Sequence, residues 1–375
     1  MNLFPVPEKV LSQQVIEETI QDACRTTLLR WETRKNVTLR SFDTNDLPRL
    51  LRLLNVIHVS QEQMSRDFSS VYYGILSEDE EGNILATAIF YLAYSTWDSR
   101  CVYINHIYAI DTFIETIVMY TLADIAIKLD CRRLVWQHDL TKSSYFKALK
   151  AEMLEGWITL RMDIKAIDTF LSTKESLIPT CSESKGFDQE DVVQAIDDAL
   201  LLTNTVLNQH GLKLHRATEN NLDNIEAQVA ALALYEREPE SIHVNKEHYC
   251  IDGYKTDSPL FYCLLLQDTE INTFHGMGFF YFGYDVHKGR FLYLEDLFID
   301  KSHRGRGGGS MVMYTLASIC KQLSCTGFVW QALDWNTPAI TFYQQIGAVV
   351  QNGLLTSRFA GAHLTAFIES RPKNC

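Results

Sequence analysis

The chain has 375 residues, 46% of them apolar and 22% charged, with a formal charge of −13. That length exceeds one ordinary core and predicts two domains of roughly 150 residues each, while no apolar run reaches the ~18–20 residues that a membrane span requires. The acidic balance argues against nucleic acid and for cationic partners.

Nine cysteines without a CxxC pair or a zinc-spaced Cys/His set predict reduced thiols, no metal centre, and a cytoplasmic or nuclear setting. The segment "MNLFPVPEKVLSQQ" has neither the basic nor the apolar region of a secretory signal.

In chain order, a leading helix is expected within residues 1–36, then a mixed α/β body over 37–170. A polar join, "STKESLIPTCSESKGFDQED", carries Pro179 and Gly186 and reads as a linker before a second helix, together 171–210. A second body fills 211–375. The two bodies are a duplication. "VMYTLADIAIKLDCRRLVWQ" from Val118 and "VMYTLASICKQLSCTGFVWQ" from Val312 match at twelve of twenty places, 194 positions apart (312 minus 118). "YLAYSTWDSRCVYINHIYAID" from Tyr91 likewise parallels "YFGYDVHKGRFLYLEDLFID" from Tyr281, and "LRSFDTNDL" parallels "HRATENNLDNI".

Within the second unit, residues 218–236 show helical periodicity through Leu222, Ile225, Val229 and Leu232. "LFYCLLL", "GMGFFYFGY" and "GRFLYLEDLFID" read as strands, the last entered through a turn at "HKG". Val312, Leu316, Ile319 and Leu323 then mark a helix, "TGFVWQAL" a strand, and "NTPAITFYQQIGA" a short helix with Asn336 suited to capping and Pro338 in its first turn. "AHLTAFI" is expected as a closing strand.

Between strand and helix stands Arg304-Gly305-Arg306-Gly307-Gly308-Gly309-Ser310. Residues without side chains let a phosphate approach the backbone, and the first N–H groups of the helix have no internal partner. A P-loop needs Lys and then Ser/Thr after its last glycine, and a dinucleotide fingerprint needs a glycine at Ser310; both fail. What remains is R-x-x-G-x-G, which resembles the signature of the GNAT acyltransferases.

The similarity is closest to the diamine (spermidine/spermine) acetyltransferases. It runs without a gap through "MGFFYFGYDVHKGRFLYLEDLFIDKSHRGRGGGS" to "DWNTPAITFYQQIGA" and back to Ala217-Thr218 and Tyr235-Glu236, about 130 residues. The resemblance implies tandem GNAT folds, each a twisted mixed sheet flanked by helices, and acetyl-CoA as cofactor. It implies transfer of acetyl to the primary amine of a small cationic substrate: a polyamine, a diamine or a lysine-like amino acid. It places Glu295 as the base and Tyr343 as the proton donor. Leu297, Phe298 and Ile299 would hold the acetyl-pantetheine arm, Gly305 to Ser310 (Gly305, Arg306, Gly307, Gly308, Gly309, Ser310) the pyrophosphate with Arg304 in support, and Asn336 would also bind the cofactor. Tyr235, Glu236 and Asp285 match the family's substrate side. Read from the residues alone, Glu295 also fits a surface carboxylate, Tyr343 a core aromatic and Asn336 a plain helix cap. Asp296, next to Glu295 on a strand, should point to the opposite face and is given no catalytic role; His303 is given none either.

The first unit departs from this pattern. Tyr103 to Val118 is 15 steps where Tyr293 to Val312 is 19, so four residues of the phosphate loop are missing. Asn105 stands at the place of Glu295, and Phe146 at that of Tyr343. The expectation is a degenerate copy that keeps its core and loses its cofactor site. The family's E-G-W segment is absent near the second unit's last strand, which has "NGLLTSRF", but the first unit has Glu155-Gly156-Trp157, and it also offers Trp97 where the second has His287. Because the relatives are dimers with sites completed across the interface, the two units are expected to form an internal pseudo-dimer in which Glu155 and Trp157 reach the substrate of the second unit; the alternative is that both are core or surface remnants. Two rival functions remain open on the sequence: a protein-lysine acetyltransferase, and a non-catalytic module that binds CoA or a partner.

Overall fold

Short, aromatic-rich alternating runs joined by tight turns make antiparallel meanders, and the periodic helices cover their apolar faces. The computed structural model describes residues 3–30, 37–174 and 187–370. Residues 1, 2 and 31–36 of the expected N-terminal segment, and Pro179 and Gly186 of the expected linker, lie outside the described residues. The first repeat comprises α1 (Gln13–Arg30), β1 (Val37–Ser41), α2 (Leu47–Leu53), α3 (Gln61–Asp67), β2 (Tyr73–Asp79), β3 (Ile84–Ser95), β4 (Ser99–Ala109), α4 (Thr112–Lys128), β5 (Arg133–Asp139), α5 (Ser143–Ala148), β6 (Glu152–Met153), β7 (Trp157–Asp163) and α6 (Ile164–Ser172). The second comprises α7 (Gln189–Leu207), β8 (Leu212–Arg216), α8 (Leu222–Glu236), α9 (Lys246–Tyr249), β9 (Tyr262–Asp268), β10 (Thr273–Asp285), β11 (Gly289–Ile299), α10 (Gly308–Gln322), β12 (Gly327–Leu333), α11 (Thr337–Gln345), β13 (Val349–Val350), β14 (Leu354–Ala360) and α12 (Ala362–Glu369).

One expected strand is a helix. "AHLTAFI" forms α12, because Gly361 at φ 50 turns the chain out of β14 and only Leu364 and Phe367, three apart, are buried. Helical spacing outweighs apolar composition here.

Two seven-stranded mixed sheets result, and each holds the other repeat's last long strand. The first sheet runs β1-β2-β3-β4-β5-β14-β6 and the second β8-β9-β10-β11-β12-β7-β13. β7 lies antiparallel to β12, from Gly327 opposite Asp163 to Leu333 opposite Trp157; β14 lies antiparallel to β5, from Leu354 opposite Asp139 to Ala360 opposite Arg133. Each traded strand takes its helix along. The α6 residue Phe170 packs edge-on against Tyr314 of α10, and Phe367 of α12 stacks on Tyr120 of α4 at 4.5 Å. The divisions 37–170 and 211–375 therefore follow the duplication of the sequence and not the packing of the sheets. Where the exchanged strands pass, Gln137 Nε2 donates to Thr159 at 2.7 Å and Gln331 Nε2 to Thr356 at 2.8 Å, with Gln331 also reaching Thr159 at 3.1 Å.

Two cores lie under the outer helices and a third is shared between the repeats. In the shared core Tyr72 stacks on Tyr284 at 4.1 Å, and Tyr94 packs on Phe261 at 4.7 Å. Reciprocal ion pairs cross the same boundary. Arg100 of β4 meets Asp252 of the second repeat at 2.7 Å and donates to the carbonyls of Leu129 and Lys9. Arg290, at the equivalent place on β11, faces Asp67 of α3 at 3.4 Å and donates to the carbonyl of Leu323 at 2.6 Å. All four charged side chains are buried. Removing one member of such a pair leaves the other charge without compensation, at a cost of about 3–5 kcal/mol. Asp252→Ala is accordingly expected to lower the unfolding free energy by that amount in urea denaturation, with the loosened boundary seen as faster hydrogen exchange in both sheets.

Candidate active site

The groove begins where two parallel strands part. β11 and β12 are paired only from Leu292 opposite Phe328 to Leu294 opposite Trp330. Beyond that, Leu297, Phe298 and Ile299 remain bonded to β10 on one edge and open to the groove on the other. The opening has a volume of about 550 Å³, with the glycine loop at one end and Glu295, Glu236 and Tyr343 at the other. Gly305 and Gly307 have φ of 78° and 83°, and a Cβ at either would point into open space. At Gly308 a Cβ would come within 2.5 Å of Leu266, so the loop is also pressed onto the sheet. The N–H groups of Gly308, Gly309 and Ser310 open α10 and have no helical acceptor, which makes them anion donors.

Arg304 donates through Nε to the Ile299 carbonyl at 2.8 Å, and its guanidinium lies over the Tyr235 ring at 4.7 Å. Tyr235 in turn reaches Asn336 Oδ1 at 3.4 Å; the Asn336 side chain lines the groove and does not cap α11. Arg306 is the departure among the loop residues. It lies outside the groove lining, bound to Asp268 at 2.7 Å and to the His210 carbonyl at 2.9 Å, so it braces the loop from behind.

The acids sit at a bulge. Phe279 pairs with Asp296 and Phe280 with Leu294, so Glu295 is the extra residue of β11. A bulge breaks the two-residue alternation, and both carboxylates line the groove. The expectation that Asp296 faces away fails for this reason. Burial raises the carboxyl affinity of both for protons, and for Glu295 the neighbouring Asp296 charge adds to it. The Glu236 carboxyl, at the end of α8, is pushed up to about 8 by burial and then by Asp296 and Glu238. Tyr343 is held protonated by burial; its ring packs edge-on against Trp330 at 5.1 Å, and its hydroxyl makes no hydrogen bond among the described residues.

Past these acids the groove opens into a chamber of about 620 Å³ walled by both repeats. β7 brings Trp157 into the groove and the chamber, and the turn before it brings Glu155 to the chamber's exposed rim. Gly156 between them has φ 83°, and its carbonyl accepts from Asp334 N at 2.8 Å, fixing this corner to the second repeat. The hairpin after β3 adds Thr96, Trp97 and Asp98. Two chamber cations are already engaged: Arg133 with Asp98, and Arg358 with Glu152 at 2.8 Å. Glu155, Glu236, Glu238, Glu295 and Asp296 have no ion-pair partner among the described residues.

Asp285 lies in neither space. It ends β10, where its carboxylate accepts from the backbone N–H of His287 and Lys288. That hairpin reaches instead into the first repeat, where Val286 N donates to Asn105 Oδ1 at 2.9 Å and His287 meets His106. Asn105 occupies the matching bulge on β4. Nearby, α4 is capped by Asp111, whose side chain accepts from Ile114 N at 2.8 Å and so satisfies a donor that the glycine loop leaves free in α10. Phe146 packs on Trp136 at 5.0 Å as Tyr343 packs on Trp330. The first repeat keeps the frame and lacks base, phenol and open cradle together.

The sequence matches the acetyltransferase (GNAT) family over residues 227–348. A thialysine N-epsilon-acetyltransferase of Sus scrofa is 30% identical over 141 residues, spanning 36% of this chain and 82% of that protein. The chain belongs to the GNAT family. The corresponding Mus musculus enzyme is 28% identical over 158 residues, 40% of this GNAT chain and 92% of that protein. A tandem GNAT protein from the clavulanic acid biosynthesis pathway is similar in structure, with a TM-score of 0.44 and 10% identity over 86% of this chain and 98% of that one.

Because the folded GNAT protein holds a proton on Glu236 that the unfolded chain releases above the ordinary value of 4.5, this group's contribution to stability declines as pH rises from about 4.5 to about 8 and is flat beyond. The advantage in Tm of Glu236→Gln over the unchanged protein is therefore expected to grow between about pH 5 and pH 8, measured by differential scanning fluorimetry without added amine. A constant difference would contradict the burial of that carboxyl.

Proposed function

We propose that this GNAT protein is an acetyl-CoA-dependent N-acetyltransferase that moves acetyl to the primary amine of a small cationic substrate (a polyamine, a diamine or a lysine-like amino acid) by direct attack of the neutral nitrogen. The observation that carries the reading is the junction of two spaces: a groove ending in free helix donors, and a chamber lined by five carboxylates without ion-pair partners. The glycine cradle fits a pyrophosphate, since Gly305 and Gly307 line the groove with left-handed backbone that favours residues without a Cβ, and the free N–H groups of Gly308 to Ser310 open α10 beside them. When bound there, acetyl-CoA supplies an activated acyl group as a thioester.

The chain's own residues would do the following. Gly307 to Ser310 hold the phosphates through backbone N–H groups, with Arg304 above them. The unpaired edge of Leu297 to Ile299 offers N–H donors where an acyl oxygen gains charge. An alkylamine with a pKa near ~10 arrives as a cation; Asp296 and the rim acid Glu155 attract it, Glu236, which keeps its proton up to about 8, offers it a carboxyl oxygen as hydrogen-bond acceptor, and Glu295 accepts the proton it must lose before it can act as a nucleophile. Tyr343 retains its proton in this pH range and can return one at its hydroxyl. Trp157 closes the chamber against water from the side of the first repeat. The two repeats thus act as an internal dimer with one working site, and a cytoplasmic setting suits the unpaired cysteines found among the described residues.

Purified protein with acetyl-CoA and a panel of spermidine, putrescine, thialysine, lysine and a histone-tail peptide is expected to release free thiol with the small amines. Release with the peptide alone would replace this reading by protein acetylation, and release with none would end it. Tyr343→Phe is expected to lower kcat about 10²-fold with little change in KM. Glu155→Gln should raise KM for a polyamine several-fold and leave KM for acetyl-CoA unchanged.

A further inference from the structure

Asp296 is gripped by the other repeat. Thr96, only 1% exposed, lies in the hairpin between β3 and β4, and its Oγ1 donates to Asp296 Oδ2 at 2.6 Å. The hairpin has little room to move. Tyr249 donates its hydroxyl to the Thr96 carbonyl at 2.7 Å, His243 donates its backbone N–H to the Trp97 carbonyl at 2.8 Å, and the His243 ring holds Asp98 at 2.8 Å. All three contacts come from the second repeat. At the equivalent place in the opposite hairpin, 190 positions on, stands Val286, which has no hydroxyl and whose backbone N–H is bonded to Asn105 of the half without a base. The hydroxyl is thus present only where a pair of adjacent buried carboxylates needs sorting.

We infer that Thr96 is a positioning residue for the transfer reaction: its hydroxyl keeps Asp296 the ionised member of the pair, so that Asp296 holds the substrate cation and Glu295 is the member that exchanges the proton. This rests on the acetyltransferase reading of the site. Two carboxyls side by side in a buried site resist ionising together, and a hydroxyl donor on one of them stabilises that one's charge. The other groups facing Asp296 do not make this choice. Glu295 and Tyr293 on its own strand, Glu236 of α8, Tyr343 of α11, Tyr249 of α9 and Cys263 of β9 bring like or no charge, and Arg133 of β5, held by Asp98, favours the charged form of both members and so does not choose between them.

The test is the acid limb of kcat/KM for a polyamine in Thr96→Val, Thr96→Ser and Thr96→Val combined with Asp296→Asn. Removing a donor from a carboxylate raises its pKa, so valine should move the limb up by about one pH unit and serine should restore it. With Asp296→Asn already present, valine should move it no further. Thr96→Ala replaces valine should the latter disturb the hairpin, with Tm as the check. The same shift is read without turnover by carboxyl-carbon NMR titration of the free protein. A limb and an NMR titration that valine leaves in place would overturn the role of Thr96 while leaving an active acetyltransferase. A protein that acetylates no amine but shows the NMR shift would overturn the reading of the site and uphold the Thr96 contact.

Discussion

The ladder between β7 and β12 is where one repeat becomes part of the other. Trp157 can line the groove only because its strand runs antiparallel beside Leu333. The reciprocal ladder between β14 and β5 closes the first sheet with a strand from the far end of the chain. Neither sheet is complete without the opposite repeat. Two buried ion pairs, Arg100 with Asp252 and Arg290 with Asp67, bind the halves by the same trade. Strand ladders and buried charges are costly to leave unpaired, so the folding of each half is tied to the presence of the other.

That dependence explains why the first repeat keeps its core after its chemistry has gone. Asp111 caps the helix that would face a phosphate, Asn105 sits at the bulge, and Phe146 fills the place of a phenol. None of these changes disturbs β5, which must still receive β14, or β7, which must still reach β12. Meanwhile the hairpin from Ser95 to Ser99 is pressed into the working half, where it contributes a hydroxyl and closes one wall of the chamber. The matching hairpin, with Asp285 at its base, is pressed into the idle half. One duplication thus yields two unequal interfaces.

Much of this was legible in the residues. The glycine loop, Glu295, Tyr343 and the helix after the loop are local patterns, and local patterns survive into structure. The duplication was legible too, as was the loss of four loop residues from one copy. Three features were not. Asp296 faces the groove because of a bulge, and a bulge has no strong local signature in "LYLEDLF". Arg306 turns away because Asp268 and His210, distant in sequence, capture it. Asp285 carries the family's residue type, but the exchange of hairpins puts it in the wrong half. The displaced E-G-W segment, and Trp97 standing where the second repeat has His287, were the sequence clues to that exchange, and they gave the partner without giving the register.

On the proposed reading, one chain has one acyl-donor cradle, at the start of α10, inside a site that both repeats enclose. Isothermal titration of the purified protein with coenzyme A tests this most directly. A stoichiometry of one per chain is expected, with loss of binding when Gly307 is replaced by valine, whose branched side chain disfavours φ 83° and so disturbs the backbone that opens α10. A stoichiometry of two, or one that survives that replacement, would contradict it.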